Sequence, residues 1–114
     1  MNLFIRFLVS VIAILFAAWL VPGISVSGIF AAAVVAIILG LINITVKPVL
    51  LILTLPITIL TLGLFIFVIN ALMLLLAAAI VEGFFVDGFV AALLGSLVIT
   101  LVHILANRLD PARS

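Results

Sequence analysis

The side chains best suited to chemistry are a few amides, hydroxyls and one imidazole set in long apolar runs. Ser96, Thr100, His103 and Asn107 follow one another at intervals of 4, 3 and 4 residues, which stacks them on one helical face. Asn43 and Asn70 are further amides well inside apolar stretches. His103 is the only histidine, and cysteine is absent. Acid–base or metal chemistry at His103 needs partners at its depth, and Glu82 and Asp87 belong to the opposite end of the chain's spans. No phosphate-binding loop, zinc-protease helix or nucleophile elbow is present. The expectation is therefore no catalytic residue, no cofactor and no metal, and not an enzyme. In apolar surroundings these side chains can hydrogen-bond one helix to another, at about 0.6 kcal/mol each, or they can line a polar path. Packing is the simpler role for Asn43 and Asn70, since intramembrane polar residues mark function most strongly when charged. A pore lining or substrate contact is the sharper one.

The charged residues read as boundary markers. Arg6 and Lys47 suit snorkelling anchors at the headgroups, and Trp19 suits an interfacial anchor at the far end of its span. Glu82 and Asp87 could draw cations to a pore mouth, although two exposed carboxylates are more simply solvated.

The elements that must position these residues follow from composition. Of 114 residues 71% are hydrophobic and 6% charged, with a net charge of +1. An ordinary soluble domain is about half apolar and a quarter charged, and a small domain cannot hide so much apolar surface in one core. A mean hydropathy of +1.89 agrees. A soluble enzyme, a disordered tail and a nucleic-acid partner, which needs clustered Lys and Arg, are excluded. The partner is the lipid bilayer.

A span needs about 20 apolar residues, with ~17 as a practical minimum. Leu3 to Val21 ends at Pro22-Gly23, Ile29 to Val46 at Lys47-Pro48, and Phe89 to Ala106 at Asn107-Arg108. The first run lacks a cleavage site of the small-x-small kind, so it reads as an uncleaved span rather than a signal peptide. From Val49 to Val81 the chain is uncharged, too long for one span and too short for two. Pro56 and Gly63 break it, which makes Leu64 to Val81 the third span and Val49 to Leu62 interfacial or re-entrant. Thr54, Thr58 and Thr61 in that connector can re-satisfy backbone groups freed near a proline. Four spans put Arg6, Lys47, Arg108 and Arg113 on one side, with Asp110, and Glu82 and Asp87 on the other. By the positive-inside rule both termini are cytoplasmic.

The chain also repeats at an offset of about 60 residues. Val21-Pro-Gly-Ile-Ser-Val-Ser-Gly28 matches Val81-Glu-Gly-Phe-Phe-Val-Asp-Gly88 in the frame V-x-G-x-x-V-x-G. Ala31-Ala32 fall on Ala91-Ala92, Leu41 on Leu101, Ile44 on Ile104 and Ser10 on Asn70. The fold class expected is an all-α integral membrane protein of four transmembrane helices, a tandem parallel repeat of two helical hairpins. It forms a single membrane domain over residues 1–114, with repeat units at about 3–47 and 64–107 and a Pro-broken connector at about 48–63. Each hairpin has one small or polar face and one large aliphatic face.

The run Gly40-Leu-Ile-Asn-Ile-Thr-Val-Lys-Pro48, followed by Leu53-Thr-Leu-Pro-Ile-Thr58, Leu60-Thr-Leu-Gly-Leu-Phe65 and Ile69-Asn-Ala-Leu-Met73, closely resembles the bacterial phage holin family 4 proteins. These are also called the mycobacterial four-transmembrane phage holin or YvlD-like family. The resemblance covers nearly the whole chain. It implies a four-span protein of the bacterial cytoplasmic membrane and a homo-oligomer of holin type, which opens lesions that release or activate a cell-wall hydrolase. It carries no catalytic residues, and Asn43, Lys47, Pro48, Pro56, Gly63 and Asn70 transfer only as positions shaping the connection between the second and third spans. Three functions follow. One is a holin-like oligomer that permeabilises the membrane through its polar faces, and another is a non-lytic envelope or stress-related protein acting through a partner. A small channel or transporter is the third, weakened by the lack of an intramembrane charge.

Overall fold

The computed structural model describes residues 2–109; Asp110 and Arg113, assigned above to the cytoplasmic face, lie outside the described residues. Helix α1, Leu3–Leu20, opens on Asn2, whose side chain accepts a hydrogen bond from the Ile5 amide at 2.8 Å. Such a cap satisfies one of the amides that a helix start leaves open. Strand β1, Ile24–Val26, leads to α2, Ile29–Leu53, and a short helix α3, Leu55–Leu60. Then come α4, Phe65–Ile80, strand β2, Phe84–Val86, and α5, Gly88–Arg108. Helices α1, α2 and α5 have 18, 25 and 21 residues. At about 1.5 Å per residue each spans close to or more than the ~30 Å hydrocarbon core. Helix α4 is shorter, at 16 residues, and tight turns prolong it at its start, where the Ile66 and Phe67 amides donate to Gly63 and Leu64. The protein is mostly helical, with three long apolar helices and one shorter one, as befits an integral membrane protein.

Two local expectations are corrected. The second helix does not stop at Lys47-Pro48 but runs through Pro48 to Leu53. Proline removes one backbone donor, whereas ending a helix leaves four carbonyls open, which is the larger cost away from water. Two threonine hydroxyls bond back within the same helix: Thr45 Oγ1 donates to Leu41 O at 2.6 Å and Thr54 Oγ1 to Leu50 O at 2.7 Å. The helix breaks at Thr54, and Pro56 falls in the first turn of α3, where its missing amide costs nothing.

The second correction concerns the glycine-bounded turns, which are not simple turns in an all-helical chain. β1 and β2 pair antiparallel with Ile24 opposite Val86, Ser25 opposite Phe85 and Val26 opposite Phe84. The Ser27 amide donates to Gly83 O at 2.8 Å and the Asp87 amide to Gly23 O at 2.7 Å, closing the ladder at both ends. Gly23 and Gly83 turn the chain with φ of +94° and +88°, conformations that suit glycine. Each tucks against the other hairpin: a Cβ on Gly23 would lie 3.2 Å from those of Asp87 and Ala91, and one on Gly83 would lie 2.5 Å from Ser27 Oγ. This two-stranded clasp ties the hairpins together at one end of the molecule.

The helices form a ring in which α1 and α4 each pack on both α2 and α5. Where they meet, Ala13, Ala17, Ala32, Ala71, Ala77 and Ala92 are at most 1% exposed. In lipid, helix association rests on close backbone approach, which small residues permit. Large side chains such as Ile12, Phe16, Ile52 and Leu72 point outward to the bilayer.

Candidate functional site

Away from the clasp the ring opens into a cleft of about 1330 Å³ lined by α1, α2, α4 and α5. α5 contributes Ser96, Thr100, His103 and Asn107, the face expected from their spacing. α2 contributes Asn43 and Lys47, and α4 contributes Asn70. The structure thus brings every expected polar-face residue to one place inside a single chain. Pro48, Pro56 and Gly63 do not line it; they shape the connection from α2 to α4, with Gly63 at φ +89°.

The cleft has a floor. Ile14 and Leu74 line its inner end and are each 1% exposed. Between them and the clasp lies alanine packing at Ala17, Ala32, Ala77 and Ala92. The cavity is therefore blind, open at the end that carries Arg6, Lys47 and Arg108 and closed toward the end that carries Glu82 and Asp87.

Inside it, Ser10 Oγ and His103 Nε2 are hydrogen-bonded at 3.2 Å, linking α1 to α5. Ser96 Oγ donates back to Leu93 O at 2.9 Å, which settles that hydroxyl within its own helix. The Asn43, Asn70, Thr100 and Asn107 side chains bond to no other described residue, so they remain open to whatever occupies the cleft. Thr54, Thr58 and Thr61 stay outside it. Thr61 Oγ1 donates to Ile57 O at 3.0 Å, and Thr58 Oγ1 is buried without a partner.

Two lining residues escaped sequence reasoning as site members. Arg6 read only as an anchor and Ser10 only as the repeat counterpart of Asn70, yet both face the cleft from α1. Their spacing of four, shared with Asn43 and Lys47, was the available signal, because it keeps a polar pair on one helical face. Among the described residues the lining holds two cations, amides and hydroxyls, and no carboxylate. Among the described residues, the side-chain partner of His103 is Ser10, and no acid reaches it.

A ring of apolar helices around a blind cleft with polar groups set in apolar walls defines a small multi-pass helical membrane protein. Residues 1–105 match the family described as mycobacterial 4 TMS phage holin, superfamily IV, and the chain belongs to that family. It is 42% identical over 96 residues to the uncharacterized membrane protein YvlD of Bacillus subtilis, covering 82% of this chain and 81% of that one. It is 38% identical over 120 aligned residues to the uncharacterized protein SCO3922 of Streptomyces coelicolor, covering 96% of each. No solved structure matches. Family and helices together make this a small bacterial membrane protein of holin type, in contact with the bilayer, and the family is not one of enzymes.

Proposed function

We propose that the protein makes the bacterial cytoplasmic membrane permeable, with the polar cleft as the inner half of the path. The observation that carries this reading is the convergence of Asn43, Asn70, Thr100, His103 and Asn107 on one blind cavity. A polar vestibule reaching partway through an apolar bundle needs only its floor and clasp to part. Both termini face the cytoplasm, since the cleft mouth carries the cations and the clasp the acids. The α3 connector, with Leu55, Ile57, Ile59 and Leu60 all exposed, lies in the interface. Several copies associate through their aliphatic faces, as befits a holin-type protein. The architecture is that of a duplicated hairpin: at an offset of 60 residues Ser27 answers to Asp87, Gly23 to Gly83 and Ile14 to Leu74, and the two clasp-closing hydrogen bonds are equivalent.

The test is uptake of a membrane-impermeant dye during induced expression, beside an equally abundant unrelated four-span protein. Rapid uptake at a defined threshold, absent in the control, is expected; intact membranes at high expression would refute permeabilisation. The closed outer end favours one other reading, a non-lytic envelope protein acting through a membrane partner. That reading requires intact membranes and a specific partner recovered by crosslinking.

A further inference from the structure

The cleft is charged with one sign. Arg6 reaches it from α1 and Lys47 from α2, and among the described residues no Asp or Glu lines it. Glu82 and Asp87 sit beside the clasp, at the other end of the helices. Amides at Asn43 and Asn107, which bond to no other described residue, add donors to the same lining. Such a lining attracts an anion and repels a cation.

The walls say what kind of anion. Phe4, Ile37, Leu41, Ile44 and Ile104 line the cleft, and each is also among the exposed apolar side chains of the outer surface. Cleft and lipid-facing surface are therefore continuous. A molecule with a charged head and hydrocarbon tails can place the head among the polar groups while its tails stay on apolar side chains. A small hydrophilic anion would leave those walls without a partner. Basic pockets between helices on the cytoplasmic side are suited to such heads, because the inner leaflet carries the anionic lipids.

The geometry points to a binding site for an anionic phospholipid, its phosphate held between Arg6 and Lys47 and its chains lying across Phe4, Ile37 and Ile104. Lys47 supplies a point charge, and Arg6 a planar fork that can grip two phosphate oxygens at once. The amides of Asn43 and Asn107 donate to the remaining head-group oxygens. This site rests on the cleft lining and on the cytoplasmic placement of its mouth proposed above, and it is read on purified protein, so it is tested separately from membrane permeabilisation.

The experiment is native mass spectrometry of the full chain, purified in detergent and offered phosphatidylglycerol and phosphatidylcholine with the same acyl chains. At about fivefold for each cation near the surface, retention should favour phosphatidylglycerol by roughly 25-fold. Arg6→Gln and Lys47→Gln should each cut that preference about fivefold, while Lys47→Arg keeps it and guards against a loss that is only misfolding. Arg108→Gln, outside the cleft lining, should leave the preference unchanged. Equal retention of the two lipids would overturn the site. So would an Arg108→Gln effect as large as that of Lys47→Gln, which would mark a general surface attraction. Inorganic phosphate binding that depends on Lys47, with no preference between the lipids, would assign the cations to a free anion and overturn the lipid site as well.

Discussion

Ser25 and Phe85 face each other at the centre of the clasp, both side chains exposed, in a chain without cysteine. The double variant Ser25→Cys, Phe85→Cys therefore offers one possible disulfide. Directly opposed antiparallel residues have Cα atoms about 4.5–5.5 Å apart, inside the roughly 4.4–6.8 Å range a disulfide spans. The closed loop runs from residue 25 to residue 85, about 61 residues, and the chain-entropy relation gives an upper limit of about 4 kcal/mol. Loss of the Phe85 ring subtracts little, because it is already 61% exposed. Thermal unfolding in detergent, with and without reductant, should show the oxidised form clearly more stable. The same variant links fold to function: oxidation should suppress dye uptake in cells, and reductant should restore it, if the outer end is what parts. Two cysteines that stay fully open to maleimide under oxidant would refute the strand register. A disulfide that forms and leaves dye uptake unchanged would refute the clasp as the closed end of the path.

Other outcomes follow from single positions. Gly83→Ala forces a side chain at φ +88° against Ser27 and should cost about 1–2 kcal/mol, seen as a lower melting temperature. Gly40→Ala, with open space around its Cβ in α2, should be neutral or stabilising by up to about 1 kcal/mol in the same assay. Ser10→Ala and His103→Leu each remove one interhelical hydrogen bond, worth about 0.6 kcal/mol; a double-mutant cycle should find that the pair costs less than the sum of the two. Asn43→Leu with Asn70→Leu removes two of the cleft's polar groups, and dye uptake should be delayed or lost; an unchanged time course would count against the cleft as the path.

Much of this fold is visible in the amino-acid sequence because lipid imposes simple rules. Pro22-Gly23 and Asn107-Arg108 bound apolar runs, and the helices end within a residue or two of them. The spacing of Ser96, Thr100, His103 and Asn107 puts them on one face because helical periodicity is local, and that face lines the cleft. What stays hidden is non-local or set by balance. Pairing of β1 with β2 joins three-residue segments some 60 positions apart, far too short to announce themselves as strands. Passage of α2 through Pro48 depends on the cost of the unmet carbonyls that ending the helix there would leave, which no proline rule weighs. Arg6 and Ser10 look like an anchor and a packing residue until the ring of helices turns them inward.

The clasp also sets an order of assembly. β1 leaves the biosynthetic machinery about sixty residues before β2 exists, and until then the amides and carbonyls of Ile24 to Val26 have only headgroups and water for company. The first hairpin can insert, but Gly83 has not yet arrived to receive the Ser27 amide, and Gly23 has no Asp87 amide to accept. Completion is therefore a late and single event, in which both hairpins lock at once. A nascent chain stalled between them carries an unpaired strand edge until β2 arrives to cover it.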